Sequence, residues 1–315
     1  MKKIILANPR GFCAGVDRAI TIVEKALEKY GAPVYVRHEV VHNKYVVDGL
    51  KQRGAIFIEE IKDVPSGGIL IYSAHGVPLS VRHAAEAKNL TMIFDATCPL
   101  VSKVHVEIKN LHKQDYTIIM IGHKGHPEVE GTMGQVSSKI HLIENEADVA
   151  TLELPREIEK IAVVTQTTLS VDETKGIMAR LQKAFPNLRQ PKNEDICYAT
   201  QNRQDAVKLM AQSCDALIVI GSKNSSNSNR LKELAENLGV PAYLIDFAQE
   251  IQEQWLVGVS NIGVTAGASA PEILVEGVIK RLADFGFNAM ETLNAMDEHM
   301  VFALPNELRY SSSSN

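Results

Sequence analysis

The chain has 315 residues, of which 45% are hydrophobic and 23% are charged. This length predicts two or three domains, and this composition is ordinary for a soluble globular protein. A net charge of −5 argues against a nucleic-acid binder. The apolar run Ile4–Ala7 is too short for a signal peptide, and no run approaches the roughly 18 residues of a membrane span. We therefore expect a cytoplasmic protein that binds neither nucleic acid nor membrane.

Short apolar runs alternate with helical patterns along the chain. The runs are rich in β-branched residues and predict buried parallel strands at Ile4–Ala7, Ile69–Tyr72, Met92–Ala96, Thr117–Ile121, Ile161–Val164, Leu217–Ile220 and Asn261–Thr265. A period of 3.6 residues predicts helices at Asp17–Tyr30, Leu100–Lys113, Thr174–Phe185 and Asn202–Ser213. This alternation indicates the α/β class.

Three of the four cysteines occupy equivalent places in this pattern. Cys13, Cys98 and Cys197 each precede a predicted helix, whereas Cys214 follows the end of one. A basic residue comes after each of the three at a similar offset, namely Arg18, Lys103 and Arg203. We expect Cys214 to be a buried thiol in the core, the common fate of an isolated cysteine.

The spacing to the following polar strand ends repeats as well. The next polar strand end lies 29 residues after Cys13, 28 after Cys98 and 28 after Cys197, at His42, His126 and Ser225 respectively. A second polar strand end follows after 62, 69 and 72 residues, at His75, Thr167 and Ser269. Such self-similarity indicates repeated structural units. The alternative is coincidence on top of ordinary α/β alternation.

The repeat predicts three α/β lobes with mainly parallel sheets, related by a pseudo-threefold axis around one central site. Their expected bounds are 1–97 with Cys13, 98–196 with Cys98 and 197–281 with Cys197, followed by a C-terminal extension at 282–315. The composition of the last residues, Ser311–Asn315, predicts disorder. Ligands of parallel sheets bind beyond the carboxyl ends of the strands, so the cysteines and polar strand ends should face a shared cavity.

Three converging cysteines fit a zinc ion or an iron–sulfur cluster. Structural zinc sites use closely spaced pairs such as C-x₂₋₄-C, which this sequence lacks. Thiolates also hold iron–sulfur clusters, and a cluster of four irons with three cysteine ligands keeps one iron open. A helix start beside each cysteine would favour its thiolate form.

The polar strand ends are rich in imidazoles, hydroxyls and amides, which donate hydrogen bonds to phosphate oxygens. Neither a G-x-x-x-x-G-K-[ST] loop nor a G-x-G-x-x-G fingerprint occurs, so no nucleotide fold of those types is indicated. Glu128 and Glu130 are candidate proton donors in this cavity, and spacing alone leaves both open.

Several motifs run through the chain in a characteristic order. They include A-N-P-R-G-F-C-A-G-V-D-R-A-I, V-R-H-E-V-V-H-N, D-A-T-C-P-L-V, G-H-P-E-V-E-G-T-M-G-Q, T-Q-T-T-L-S-V, D-I-C-Y-A-T-Q-N-R-Q, G-S-K-N-S-S-N-S-N-R and V-T-A-G-A-S-A-P. From Ile4 to about Arg309 the chain resembles the 4-hydroxy-3-methylbut-2-enyl diphosphate reductases. These are iron–sulfur enzymes of the last step of the methylerythritol phosphate pathway to isoprenoids.

The resemblance implies a [4Fe–4S] cluster held by Cys13, Cys98 and Cys197, with one open iron for the substrate hydroxyl. It implies that the diphosphate is bound by His42, His75, His126, Ser225, Ser226, Asn227 and Ser269. It further implies that Thr167 contacts the substrate hydroxyl and that Glu128 delivers the proton.

The implied reaction is a two-electron reductive dehydroxylation. It converts (E)-4-hydroxy-3-methylbut-2-enyl diphosphate to isopentenyl and dimethylallyl diphosphate, with reduced flavodoxin or ferredoxin as the electron donor. Two other functions remain open from the residues: a non-catalytic iron–sulfur or zinc protein that senses redox state, and a redox-inactive phosphosugar enzyme whose cysteines are structural.

Two local expectations concern the loops. Pro127 restricts His126 to an extended conformation, so we expect the chain not to enter a helix directly and His126 and Glu128 to face the same side. Gly131 should end this extension before it places Glu130 on that face. The glycine-led segment Gly221–Arg230 is expected to be a long polar loop that an anion orders.

Overall fold

The computed structural model describes residues 2–154, 158–191 and 194–309. The strands in this part of the chain are β1 Lys3–Asn8, β2 Val34–Arg37, β3 Ala55–Ile58, β4 Ile69–Tyr72, β5 Met92–Asp95, β6 Thr117–Ile121, β7 Ile140–Ile143, β8 Ile161–Thr165, β9 Ala216–Ile220, β10 Ala242–Ile245, β11 Asn261–Ala266 and β12 Ala289–Asn294. The expected disorder at Ser311–Asn315 lies outside the described residues.

The helices are α1 Ala14–Tyr30, α2 Lys44–Gln52, α3 Leu79–Glu86, α4 Pro99–Lys113, α5 Pro127–Met133, α6 Glu146–Thr151, α7 Val171–Ala184, α8 Tyr198–Met210, α9 Ser226–Asn237, α10 Glu272–Asp284 and α11 Asn306–Arg309. Short 3₁₀ helices occur at Ile61–Asp63, Ala248–Glu250 and Glu253–Leu256. Among the described residues, no helix is both long enough and apolar enough to cross a membrane.

The described strands form three sheets in which neighbouring strands are parallel. Their orders are β10-β9-β11-β1-β12, β3-β2-β4-β5 and β7-β6-β8. Strands β6, β8 and β9 are buried at every residue, which is typical of parallel strands covered on both faces. The predicted α/β class with mainly parallel sheets is confirmed.

The predicted elements are present, with shifts at their ends. The strands Ile69–Tyr72 and Thr117–Ile121 have the predicted bounds. Helix α8 begins at Tyr198, four residues before the predicted Asn202. The first turns of α8 bury polar side chains, including Asn202, Arg203 and Gln204, so an apolar periodicity does not mark where this helix begins.

The chain forms two compact units. One comprises the described residues of Met1–Asp17, Val41–Gly49 and Tyr198–Val301, and it contains the five-stranded sheet. The other comprises those of Arg18–Val40, Leu50–Cys197 and Phe302–Asn315, and it contains the four-stranded and three-stranded sheets. We call them the first and the second unit.

Strand β1 departs from the predicted lobe boundaries. It lies within the predicted first lobe, 1–97, yet it pairs with β11 from the predicted third lobe and with β12 from the predicted C-terminal extension. The reason is its composition: Ile4, Ile5 and Leu6 are all buried, so β1 requires a strand or helix against each edge and face. Local sequence does not say which sheet supplies those partners.

Candidate active site

The three repeated cysteines share one local geometry. Cys13 immediately precedes α1, Cys98 is the N-cap residue of α4, and Cys197 immediately precedes α8. None of the three forms a disulfide, and all three are half-buried. Each therefore lies at a helix start, the end of a helix that carries a partial positive charge.

The backbone of each cysteine is held in the same way. Its N–H donates to the carbonyl of the residue two positions beyond a strand end: Cys13 to Ala268 after β11 at 3.2 Å, Cys98 to Ala74 after β4 at 2.9 Å, and Cys197 to Thr167 after β8 at 3.0 Å. This agreement is independent of the residue counts that predicted the repeat. Each cysteine is thus tied to the carboxyl end of a parallel strand, the edge at which ligands bind.

Thiolate sulfurs are the usual protein ligands of iron–sulfur clusters. In residues 2–154, 158–191 and 194–309, no three His, Cys, Asp or Glu side chains are grouped to bind one metal ion. A [4Fe–4S] cluster takes each thiolate on a different iron, so its ligands need not share one ion. Three half-buried cysteines at helix starts, none of them in a disulfide, are of the ligand type that such a cluster uses.

Cys214 has different surroundings. It packs in the core of the first unit beside Ala206, Met210 and Leu217. Burial raises the pKa of its thiol to about 12, so it stays protonated near neutral pH and is a poor metal ligand. The prediction that Cys214 is a core thiol is confirmed.

Glu128 is the carboxylate that the structure buries, with 3% of its surface exposed, whereas Glu130 is exposed. Its two oxygens contact the same residue: Oε1 accepts the backbone N–H of Thr167 at 2.6 Å, and Oε2 lies 3.1 Å from the Thr167 hydroxyl. Burial raises the pKa of Glu128 to about 7, although both hydrogen bonds from Thr167 act to lower it. The group therefore holds a proton near neutral pH and can release it.

Helix α5 corrects the expected backbone of this segment. His126 is extended, with φ −74° and ψ 131°, but the helix begins at the very next residue, Pro127. Proline suits the first helical position because its ring fixes a helical φ and it lacks an N–H that would be unsatisfied there. His126 and Glu128 are consequently related through a helix cap, in which His126 Nδ1 accepts the Glu128 N–H at 3.1 Å, and the extended same-face arrangement is wrong.

Three imidazoles of the second unit lie in contact. The rings of His75 and His126 meet edge to face, with centroids 5.8 Å apart, and His38 meets His75 in the same manner at 6.3 Å. His38 also bonds to Glu59 through Nδ1 at 3.0 Å. The second unit thus brings together the predicted residues His75, His126, Glu128 and Thr167 with Cys98 and Cys197.

Helix α9 corrects the expected loop at Gly221–Arg230. The helix starts at Ser226, because the Ser225 side chain caps it by accepting the Ser228 N–H at 3.3 Å. The polar motif is therefore a short turn followed by a helix N-terminus. Such an end carries free N–H groups and favours anions.

Asn227 lies in the first turn of α9 and is 5% exposed, yet neither its amide nitrogen nor its amide oxygen has a hydrogen-bond partner. Buried polar groups are normally paired, so this side chain suits a ligand. Two glycines leave space beside the first turn of α9, next to Ser228. A Cβ on Gly267 would lie 2.0 Å from Ser228 Oγ, and one on Gly221 would lie 2.1 Å from the same atom.

The remaining predicted residues of the first unit adjoin this turn. The Ser269 hydroxyl donates to the backbone carbonyl of His42 at 2.8 Å, and His42 Nδ1 contacts the amide of Asn224 at 3.2 Å. The first unit therefore brings together His42, Ser225, Ser226, Asn227 and Ser269, and it also carries Cys13.

The sequence analysis did not single out Asn224 or Asp195. Asn224 lies inside the quoted G-S-K-N-S-S-N motif, so its amide was a recognisable signal. Asp195 lies two residues before Cys197, and burial raises the pKa of its carboxyl to about 7. Asp195 opens the quoted D-I-C-Y-A-T-Q-N-R-Q motif, so its position was a recognisable signal, whereas its burial is seen only in the structure.

Comparison with known proteins gives one family. A family model described as LytB protein matches residues 4–283. The 4-hydroxy-3-methylbut-2-enyl diphosphate reductase of Chromobacterium violaceum is 62% identical over 308 residues, covering 98% of each chain. That of Aromatoleum aromaticum is 59% identical over 308 residues, again 98% of each chain.

Solved structures agree with these matches. The E-1-hydroxy-2-methyl-but-2-enyl-4-diphosphate reductase from Plasmodium falciparum superposes with a TM-score of 0.94 at 41% identity, covering 98% of this chain and 96% of that one. A second solved structure, of an (E)-4-hydroxy-3-methyl-but-2-enyl diphosphate reductase, has a TM-score of 0.64 at 33% identity and covers 90% of this chain and all of the other. The chain therefore belongs to the LytB family, that of the 4-hydroxy-3-methylbut-2-enyl diphosphate reductases.

Proposed function

We propose that this chain reduces (E)-4-hydroxy-3-methylbut-2-enyl diphosphate to isopentenyl diphosphate and dimethylallyl diphosphate, the final step of the methylerythritol phosphate pathway. The observation that carries the proposal is the buried Glu128 carboxyl, bonded twice to Thr167 and able to hold a proton near neutral pH. Family membership supports the substrate, and the polar groups around Asn227 support its diphosphate.

Cys13, Cys98 and Cys197 would hold a [4Fe–4S] cluster with one open iron. The support is their common geometry, in which each cysteine lies at the start of a helix and its N–H bonds to the backbone just beyond a strand end. When bound, the cluster would carry electrons one at a time and act as a Lewis acid on the substrate hydroxyl. Cys214 takes no part, because its thiol lies in the core.

The diphosphate would be bound by His42, His75, His126, Ser225, Ser226, Asn227 and Ser269. Neutral hydroxyl, amide and imidazole donors suit a group with many acceptor oxygens. Asn227 and the N-terminus of α9 are the strongest local support, since a buried unpaired amide lies in the first turn of a helix, the end that favours anions. Binding at the diphosphate would also orient the hydroxyl end of the substrate, so remote binding energy serves the reaction.

Glu128 would supply the proton that turns the leaving hydroxyl into water. Its Oε1 already accepts the Thr167 N–H, which leaves Oε2 to carry the proton beside the Thr167 hydroxyl. Thr167 would contact the substrate and pass the proton on, and its hydroxyl beside Oε2 supports this role. Two electrons and two protons convert the allylic alcohol to either product plus one water, which balances the reaction.

Reduced flavodoxin or ferredoxin would deliver the electrons. The four cysteines form no disulfide, which fits a reducing compartment, so we also propose that the protein is cytoplasmic. A redox sensor would need the thiols without Glu128, and a redox-inactive phosphosugar enzyme would need the polar residues without the thiols.

The test is anaerobic purification followed by iron and sulfide analysis and turnover with an artificial one-electron reductant. We expect about four irons and four sulfides per chain and formation of both products. Cys13→Ser, Cys98→Ser and Cys197→Ser should each lose the cluster, while the matched control Cys214→Ser should keep it. A protein that contains the cluster but does not turn over the substrate would contradict the proposed enzymatic activity. Turnover in a Cys98→Ser variant that lacks the cluster would contradict the proposed cofactor.

A further inference from the structure

A short segment leads into each of the three repeated cysteines, and we call these segments, residues 11–13, 95–98 and 194–197, the cysteine loops. The basic residue that follows each repeated cysteine, namely Arg18, Lys103 or Arg203, contacts the cysteine loop of another repeat. Arg18 of α1 donates to the carbonyls of Thr97 at 3.2 Å and Asp95 at 3.4 Å, immediately before Cys98. The helix that starts at Cys13 therefore holds the loop of Cys98.

The same relation recurs at the second cysteine. Lys103 of α4 donates to the carbonyl of Glu194 at 3.2 Å, three residues before Cys197. Its ammonium also lies 3.9 Å from Oδ1 of Asp195, whose side chain is fully buried. The helix that starts at Cys98 therefore holds the loop of Cys197.

The third contact completes the cyclic order. Arg203 of α8 donates twice to the Gly11 carbonyl, at 2.6 Å from one terminal nitrogen and at 3.1 Å from Nε, and once to the Phe12 carbonyl at 3.4 Å. Its side chain is 0% exposed. The helix that starts at Cys197 therefore holds the loop of Cys13.

We infer that Arg18, Lys103 and Arg203 are positioning residues that each fix the cysteine loop of another repeat and so hold its thiol for the cluster. The inference rests on the proposed iron–sulfur function. Charged donors form stronger hydrogen bonds to carbonyls than neutral ones, and partners outside the ligand shell commonly set ligand orientation.

One alternative is that these bonds only stabilise the fold. Three observations favour positioning. The bonds end on backbone carbonyls one to three residues before each cysteine, they recur three times, and they do so although the basic residue differs between Arg and Lys.

The experiment uses Lys103→Gln and Arg18→Gln, with Lys103→Arg and Arg18→Lys as variants that keep the charge. In the Gln variants of the anaerobic holoprotein, we expect cluster loss to a chelator to be about tenfold faster, the usual scale for partners outside the ligand shell. The cluster of Arg18→Gln should also have a more negative reduction potential, because a positive charge near one thiolate is gone. Lys103→Arg and Arg18→Lys, which keep the charge, should restore most of the wild-type cluster retention and reduction potential.

Hydrogen exchange supplies a measurement that does not depend on the cluster. Exchange should rise selectively at 95–98 in Arg18→Gln and at 194–197 in Lys103→Gln. Lys109→Gln, on the same helix as Lys103, is the matched control and should change neither loop. Wild-type exchange and wild-type cluster retention in both Gln variants would overturn the inference, as would an equal effect of Lys109→Gln.

Failure of the proposed function gives a different result. A wild-type protein without iron would contradict the iron–sulfur proposal, and loop exchange would then decide alone whether the basic residues position the thiols. A lower melting temperature in the Gln variants, with unchanged potential, cluster retention and loop exchange, would assign these residues a structural role only and overturn the inference.

Discussion

At the scale of single residues, Glu128 differs from Glu130 through burial and not through sequence. Glu130 projects from the first turn of α5 into solvent, whereas Glu128 is enclosed and bonded to Thr167. A carboxyl needs this enclosure to be an acid near neutral pH, because an exposed glutamate is ionised there. The proton donor is therefore selected by the fold around α5.

Replacement of Glu128 by Gln keeps the shape of the side chain and removes its proton. We expect Glu128→Gln to retain the cluster and bind substrate, while turnover falls by roughly 10²–10⁴-fold, the scale of general acid catalysis. In the wild type, turnover should fall as the pH rises through about 7, since the raised pKa keeps the acid protonated only below that value.

The matched control is Glu130→Gln, measured over the same pH range. It should keep both the rate and the decline above pH 7, because Glu130 is exposed. Near-normal turnover in Glu128→Gln, with Glu130→Gln inactive, would move the role to Glu130.

At the scale of elements, the glycine turns of the first unit leave room for the start of α9. Gly267 follows β11, and its Cα faces Ser228, whose hydroxyl donates to the Ser225 hydroxyl at 3.0 Å. The turn therefore sets the position of the helix end that we propose binds diphosphate.

Substitution Gly267→Ala should weaken substrate binding, because its Cβ would approach Ser228 Oγ to 2.0 Å and Asn227 Nδ2 to 3.3 Å and so displace both side chains. Loss of one hydrogen bond to a charged group, worth about 1.5–3 kcal/mol, predicts that KM rises about 10- to 100-fold. Steady-state kinetics would measure this against Gly277→Ala, whose Cβ has ordinary van der Waals space. An unchanged KM for Gly267→Ala would argue against diphosphate binding at this turn.

At the scale of the whole molecule, residues 282–301 are part of the fold of the first unit. Strand β12 pairs with β1 along six residues, and Glu298 pairs with the fully buried Arg203 at 3.0 Å. The segment 282–315, expected from sequence to be an extension, thus contributes both a strand and a counterion.

Removal of the Glu298 charge should destabilise the protein. Glu298→Gln leaves the Arg203 guanidinium buried without its carboxylate, and breaking such a pair predicts a loss of about 3 kcal/mol in the free energy of unfolding. Chemical denaturation would measure it. The control is Glu291→Gln, whose pair with Lys3 is exposed and should contribute less than about 1 kcal/mol. Equal stability of the two variants would contradict the role of Glu298 as the counterion.

Local sequence patterns are sufficient to predict the strands, the helices and the repeated position of the three cysteines. Buried strands such as Thr117–Ile121 follow from apolar composition within five residues, and Cys13, Cys98 and Cys197 each begin a helix as predicted. These features depend on neighbours a few residues away, and local propensity and patterning encode such relations.

Strand partners, burial and long-range hydrogen bonds are seen only in the tertiary structure. Local sequence patterns do not indicate that β1 pairs with β11 and β12, more than 250 residues away. Any parallel sheet would bury the apolar side chains of β1 equally well. Burial raises the pKa of Glu128, which bonds to Thr167 39 residues along the chain, and Arg203 reaches the Gly11 carbonyl across 192 residues. Burial and long-range hydrogen bonds arise when distant segments meet, so they set pKa values and loop positions that the order of the residues does not display.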